Sequence, residues 1–571
     1  MIKEQTFVFD VLILVCLIVI AGMIQVLFPS EIQWDLANYH YYNAWAFLKG
    51  RLGYDIAPAM VNTYFNPLLD VPHYLMMKTW GDDALVKFVQ GSYYGILAFV
   101  FYKIVGIFFD FRKEPLAFLA TFLIGVTGFS SFSQLGISSN EIQVSILILC
   151  GFYIVLKHIR DAQRSKWVWL VSGLLMGGAL GLKPTVVMYC VALGMTLIVC
   201  AKPLAVNRKE IILFAVCGLG GYLLTNGWWM WQLYSKFDNP FFPFLNNIFH
   251  SDYFGDFSFR DIQYISKTTW WQKLFLPVLI SFKSYEGDRY LAENAFWDLR
   301  YALTYFIALY LFIRWLCQGR KLPEKHYLLL YVFLLFSFVI WAYLFSIMRY
   351  IIPVEMLSAI IIVKFFQKLT LSSIVGGAIL LSLKIIGFYA LISEVPYYLA
   401  VWGNSLPFMK TEKINLPENA LVKTYGFPIA MVAAQLVGDQ SNRIVAYANG
   451  NVGENIDFLE QKKLSKVREE IVNEHQGPIV SLITYNINGK DAAFFRNAQI
   501  QRKKLEKEGM YCRVLQNYVD IVDICVPQEL KEQIFVEPEK HRKLRWNGDA
   551  EVSMDDRLKT YLRETNKILN K

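Results

Sequence analysis

A run of about twenty apolar residues can cross a bilayer as one helix, and this chain is built largely of such runs. Scanning at that length predicts roughly eleven spans. They fall at about 7–28, 84–109, 116–134, 141–158, 167–183, 186–200, 211–233, 301–318, 327–346, 350–366 and 371–392. The pair 167–183 and 186–200 is short and reads as one broken element. Composition agrees: 55% of the 571 residues are hydrophobic and 18% are charged, against about 25% charged in a typical soluble domain. The first run, Phe7 to Phe28, lacks a small-residue cleavage site and reads as an uncleaved first helix. The formal charge of +9 contains no basic run or nucleic-acid motif, so no nucleic-acid partner is expected.

Charge placement orients the chain. With a cytoplasmic N-terminus, the inner loops carry Arg112 and Lys113; Lys157, Arg160, Arg164 and Lys166; Lys202, Arg208 and Lys209; Arg314, Arg320, Lys321 and Lys325; Lys364 and Lys368. The short outer turns carry only Lys183 and Arg349. That asymmetry follows the positive-inside rule. An odd number of spans then places the C-terminal region outside the cytoplasmic (inner) membrane. Three outer segments are long: 29–83, 234–300 and everything after about 393. Long connections between spans are where function concentrates.

Residues 1–392 therefore form a polytopic helical domain with outer loops 29–83 and 234–300. Residues 393–536 form a small extracytoplasmic α/β domain, and 537–571 a charged tail. Within the second, "ALVKTYG", "RIVAYAN" and "PIVSLITYN" read as strands, and "SKVREEIVNEH" and "AAFFRNAQIQRKKLEKEG" as helices. Such alternation favours a partly parallel sheet covered by helices. Six of the eight cysteines lie in or beside apolar runs. Cys512 and Cys525 alone fall in the polar C-terminal region, where an oxidising compartment permits a disulfide.

The first outer loop opens with "IQWDLANYHYYNAWAFLKGR", Ile32 to Arg51. No Gly or Pro interrupts Trp34 to Leu48, and helical spacing puts Asp35, Asn38, Tyr42 and Trp45 on one stripe. Leu36, His40, Asn43 and Phe47 form the next. Aromatics all round suit an interfacial helix, and Asp35 sits where a helix N-cap would. The alternative is that these polar groups line a site. In "NTYFNPLLDVPHYL", Pro67 and Pro72 shape a loop in which Asn66, Asp70 and His73 are further pocket candidates.

A first helix followed by an outer loop with an Asp and a YH-containing aromatic helix resembles the GT-C superfamily of integral-membrane glycosyltransferases. That group includes bacterial enzymes using polyprenyl-phosphate-linked sugars. "MGGALGLKPT" (Met176 to Thr185) resembles the family's Gly-rich helix ending in a Lys/Thr turn. "DNPFFPFLN" (Asp238 to Asn247) resembles its middle-loop NPF-type motif, and "FSIMRYIIP" (Phe345 to Pro353) its Arg-Tyr…Pro late helix. The resemblance covers about 7–392. It implies Asp35 as general base, and a second acidic position after the third span, where "GISSNEIQ" supplies Glu141. The family commonly has two acids there; Asn140 departs from that. A divalent cation (Mg or Mn) held by Asp35 and Glu141 is the one cofactor the resemblance raises. Asn38, His40, Tyr42 and Asp70 would bind substrate.

Such an enzyme moves a sugar from a polyprenyl-phosphate donor to a glycan, lipid or protein acceptor, with inversion. Its base takes the acceptor's proton, and fixed cations meet the charge developing on the leaving phosphate. Lys183, Arg300, Arg349 and Lys384 all map to the outer halves or ends of their spans, with Arg289 a further cation in the middle loop. Intramembrane charges are costly and face the bundle interior, although Lys183 and Arg349 also have the reach to snorkel to lipid headgroups. "TTWWQKLFLPVLISF" (Thr268 to Phe282) reads as an interfacial helix against membrane lipids. Two other readings stay open: a flippase for a lipid-linked saccharide, and a non-catalytic glycan-assembly component. Transporters often carry inverted repeats; none is visible here.

Overall fold

In a computed structural model the described residues are 2–27, 35–81, 84–162, 165–257, 269–282, 298–317, 319, 322–368, 414–426, 430–447, 462–485, 492–515, 522–535, 543–546 and 549–553. The chain divides into two compact units. One comprises Met1–Leu27, Lys87–Trp228 and Asp261–Trp402; the other comprises Phe28–Val86, Trp229–Arg260 and Gly403–Lys571. The first loop and the start of the middle loop thus group with the C-terminal region.

The helical unit carries the apolar runs. Among the described residues six helices are long and apolar enough to cross a membrane: Phe7–Leu27, Ala84–Phe108, Glu141–Asp161, Arg208–Phe237, Lys325–Leu344 and Met348–Gln367. Shorter apolar helices occupy Pro115–Val126, Lys166–Leu182 and Pro184–Val199. The protein is a multi-pass membrane protein, and these six long and three shorter helices fall on nine of the expected runs. The run expected at 116–134 stops at Val126, and a short buried turn, Phe129–Phe132, follows. The run at 301–318 is an 18-residue helix, Arg300–Cys317, diluted by two arginines and three tyrosines. The run at 371–392, with Lys384, lies outside the described residues, as does Arg289.

The Gly-rich helix has a packing reason. A Cβ at Gly177 would strike the carbonyl of Gly218, and one at Gly221 the carbonyl of Leu174. Lys166–Leu182 and Arg208–Phe237 therefore approach backbone to backbone through small residues, the usual way membrane helices associate. Farther along, Thr225 Oγ1 donates to Gly178 O at 3.0 Å. Loops predicted on the same side meet. Gln367 Nε2 donates to Glu114 Oε1 at 2.6 Å and Phe108 packs on His326 at one end of the bundle. The Glu141 and Lys183 turns meet at the other.

"TTWWQKLFLPVLISF" is two short helices rather than one. Trp270–Leu274 is opened by a Thr269/Gln272 capping box, and Leu276–Leu279 carries Pro277 at its start. The proline has no N–H to continue the first helix.

The second unit is built on a five-stranded sheet: β1 (Leu421–Gly426), β2 (Arg443–Tyr447), β3 (Ile479–Thr484), β4 (Met510–Leu515) and β5 (Val522–Pro527). Their order is β2-β1-β3-β5-β4. β1 pairs parallel with β2 and β3, and β5 pairs antiparallel with β3 and β4. The three expected strands form. Cys512 and Cys525 sit opposite each other on β4 and β5 and are joined by a disulfide. A helix that the pattern did not reveal, Ala430–Val437, connects β1 to β2 and is buried along nearly its whole length. Described parts of the charged tail form a two-stranded antiparallel pair, Lys543–Trp546 with Asp549–Ser553.

The first loop is woven into this sheet. Ile56 adds a one-residue parallel bridge outside β2, with Ile56 N–H to Ile444 O at 2.9 Å and Ala446 N–H to Ile56 O at 3.0 Å. In the middle-loop motif, Asn239 and Asn246 are fully buried and tie the loop to itself. Asn246 Nδ2 reaches the carbonyls of Ser251, Phe254 and Gly255.

Candidate active site

In the sheet unit, the segment opening at Asp35 begins with a π turn, Leu36–His40, and continues as an α-helix, Tyr41–Leu48. Asp35 is buried, has helical backbone angles (φ −59°, ψ −44°) and makes no capping hydrogen bond. It is therefore not the helix's N-cap. In an α-helix, residues five apart point roughly 140° away from each other. The π turn closes Tyr41 N–H on Leu36 O, five residues back. That wider turn departs from the 3.6-residue spacing on which the stripe Asp35, Asn38, Tyr42, Trp45 is drawn. His40 Nδ1 meets Asp70 Oδ1 at 2.7 Å, both buried. Asp70 opens the helix Asp70–Trp80. One turn on, His73 is pushed down to about 3, first by burial and then by the neighbouring His40, so its ring stays neutral.

Tyr42 is committed elsewhere. Its hydroxyl donates to Asp55 Oδ2 at 2.9 Å. Asp55 also takes both arms of the Arg51 guanidinium, at 2.6 Å each, and the Ile444 N–H at 2.8 Å. Arg51 Nη2 further donates to Asn442 O at 2.5 Å. The Arg51–Asp55 pair escaped the sequence reading; its one signal is an i, i+4 Arg/Asp spacing beyond a Gly stop.

In the helical unit, three predicted residues meet. Glu141 starts its helix behind Asn140, whose backbone is left-handed (φ 66°). Lys183 ends Lys166–Leu182, where Pro184 forbids continuation. Lys183 Nζ lies 2.5 Å from Glu141 Oε1 and donates to Ser139 O. Arg349, in the 3₁₀ turn Met348–Ile351, has Nε 3.9 Å from the same Glu141 oxygen. Both cations flank the Tyr350 ring, at 5.8 and 5.7 Å. Two cations thus share one buried carboxylate.

Arg300 sits apart from that cluster. It is fully buried, pairs with Asp298 at 2.7 Å, and donates to Ile124 O at 2.8 Å and Thr127 Oγ1 at 3.0 Å. Its guanidinium is neutralised by that carboxylate and held by these bonds within the helical unit. Its neighbourhood includes an acid hidden in an apolar run. Glu355 accepts from the Ser130 and Ser131 N–H groups, each at 2.8 Å, and from the Tyr301 hydroxyl at 2.7 Å.

No family model and no curated protein sequence matches the chain. Solved structures do. ArnT from Cupriavidus metallidurans in the apo state superimposes over 92% of this chain and 98% of its own, with a TM-score of 0.51 and 12% identity. A crystal structure of the same ArnT bound to undecaprenyl phosphate gives 0.46 and 11%, over 91% and 98%. The chain has the GT-C fold.

Within the GT-C fold, the acidic positions do not suit a divalent cation. Such an ion wants several oxygen ligands. Glu141 already faces two cations, and among the described residues no group of three His, Cys, Asp or Glu gathers as a metal site.

Proposed function

We propose that the protein is a membrane glycosyltransferase that moves a sugar from a polyprenyl-phosphate-linked donor to an acceptor. The reaction would run on the outer face of the cytoplasmic membrane, with the N-terminus inside, the sheet unit outside, and inversion at the anomeric carbon. The observation that carries the reading is the Glu141–Lys183–Arg349 cluster in a GT-C fold. A polyprenyl phosphate leaving group gathers negative charge as the glycosidic bond breaks, and preorganised cations in a poorly hydrated site stabilise that charge most. Lys183 supplies a compact charge and Arg349 a planar fork suited to phosphate oxygens. Glu141 holds both near one another in the resting enzyme. Asp35 takes the proton of the attacking acceptor hydroxyl.

The test separates the two roles. Purified protein in lipid nanodiscs is assayed for polyprenyl-phosphate binding and for transfer. Arg349→Gln and Lys183→Met should each weaken polyprenyl-phosphate binding at least tenfold. Asp35→Asn should abolish transfer while that binding survives. Full transfer by Asp35→Asn removes the base assignment. Undiminished binding by both cation variants removes the phosphate assignment.

A further inference from the structure

The segment from Asn38 to Asn43 buries polar atoms that the protein leaves unanswered. Asn38 is fully buried, and among the described residues neither its Nδ2 nor its Oδ1 has a hydrogen-bond partner. The same is true of Nε2 of His40 and Oδ1 of Asn43, both buried residues. Buried polar atoms nearly always find a partner, because an unpaired one has lost its hydration with nothing in return. Four such atoms within six residues is a concentration, and it coincides with a π turn, a geometry found frequently at functional sites.

The donor and acceptor character of these atoms selects a ligand. Both ends of the Asn38 carboxamide are unanswered, so its orientation is immaterial. Asn43 directs its Nδ2 to Asn62 O at 2.8 Å, which leaves a carbonyl oxygen, an acceptor. His40 turns Nδ1 to the Asp70 carboxylate, which only accepts. Nε2 of that ring is the atom left over. The set is two amide oxygens, one amide N–H₂ and one ring nitrogen. A phosphate oxygen brings acceptors alone and leaves both amide oxygens unanswered. Vicinal hydroxyls both donate and accept, and answer all four.

We propose that Asn38, His40 and Asn43 form a subsite for the hydroxyls of a saccharide, chemically separate from the phosphate-binding cations. This deepens the transferase reading and rests on it only for the saccharide's part in the reaction. The sugar bound there is either the one carried by the donor lipid or the acceptor glycan.

The experiment uses the full chain in nanodiscs and three probes: a panel of neutral methyl glycosides, bare polyprenyl phosphate, and a polyprenyl-phosphate hexose. Affinities are measured by saturation-transfer NMR and by titration. In Asn38→Leu at least one methyl glycoside should bind tenfold more weakly or worse, with bare polyprenyl phosphate within twofold of the wild type. If the hexose-bearing lipid loses affinity relative to the bare lipid, the donor's sugar occupies the subsite. If only the free glycoside does, the acceptor occupies it. Asn38→Ala, which only removes atoms, serves as the second variant should leucine not fit. Unchanged glycoside affinity in both variants, or no glycoside binding by the wild type, overturns the proposal. Failure of the wild type to bind polyprenyl phosphate would instead sink the transferase reading and leave the glycoside result standing.

Discussion

The Arg51–Asp55 pair offers the sharpest check on how the first loop is held. Asp55 has no exposed side-chain surface and Arg51 very little, and the pair is bidentate at 2.6 Å. Replacing Asp55 by Asn keeps the shape and the oxygen that accepts from Arg51 Nη2 and the Ile444 N–H, but turns an amide N–H₂ toward the buried Arg51 Nε–H. Breaking a buried pair from one side costs about 3–5 kcal/mol. At roughly 2–4 °C per kcal/mol for a unit of this size, the melting temperature should fall by about 6–20 °C. Adding Arg51→Met removes the stranded charge, so the double variant should be more stable than Asp55→Asn alone. Trp45 is a local reporter: Arg51 lies 4.6 Å from its ring centroid and its Nε1 donates to Gly438 O at 3.0 Å. Thermal unfolding followed by tryptophan fluorescence reads the cycle. If the two substitutions simply add, the residues are not coupled and the account of the loop as clamped by this pair fails.

Three further outcomes follow from the same geometry. Deleting residues 414–571 removes the strand on which Ile56 pairs and the Asn442 and Ile444 partners of the clamp; transfer should disappear, checked by the in vitro assay, with the loop becoming sensitive to protease. His73 is neutral in the folded state because its pKa is pushed down to about 3, whereas an unfolded histidine protonates near 6.5. Its stabilising contribution is complete above about 6.5 and is lost as pH falls from there toward about 3, so His73→Gln should flatten the melting temperature over that window. Reducing Cys512–Cys525, 13 residues apart, should destabilise the sheet by about 3 kcal/mol at most, measured as the melting-temperature difference between reduced and oxidised protein.

Much of the fold was legible because apolar patterning reports burial directly. β1, β2 and β3 read as strands since parallel, doubly covered strands are near-continuous apolar runs bounded by turn residues. The helix Ala430–Val437 stayed hidden for the same reason. A helix buried on nearly every side has no polar face, and a short run without periodicity cannot be told from a strand. The π turn at Leu36–His40 was invisible because nothing in "LANYH" distinguishes a five-residue backbone bond from a four-residue one. It matters most for the site, since every stripe drawn on that helix assumed 3.6 residues per turn. At 116–134 the expected run is broken after Val126, and Phe129 and Phe132 belong to a separate short buried helix, because apolar composition alone does not mark such a break.

Residue type alone treated Lys183, Arg300 and Arg349 as equivalent cations, and only their partners separate them. Arg300 has a carboxylate to itself and spreads its remaining donors over a carbonyl and a hydroxyl. That arrangement is electrically closed, so bringing a phosphate to it would require breaking bonds already made. Glu141 is shared by Lys183 and Arg349 beside the Tyr350 ring. An anionic ligand brought there would meet two cations already held together by one carboxylate. The partners of each cation therefore separate residues that sequence position treats alike. The same reasoning extends to neutral groups: among the described residues, both ends of the Asn38 amide and the Asn43 amide oxygen have no partner, and a hydroxyl, which donates as well as accepts, answers them where an anion does not.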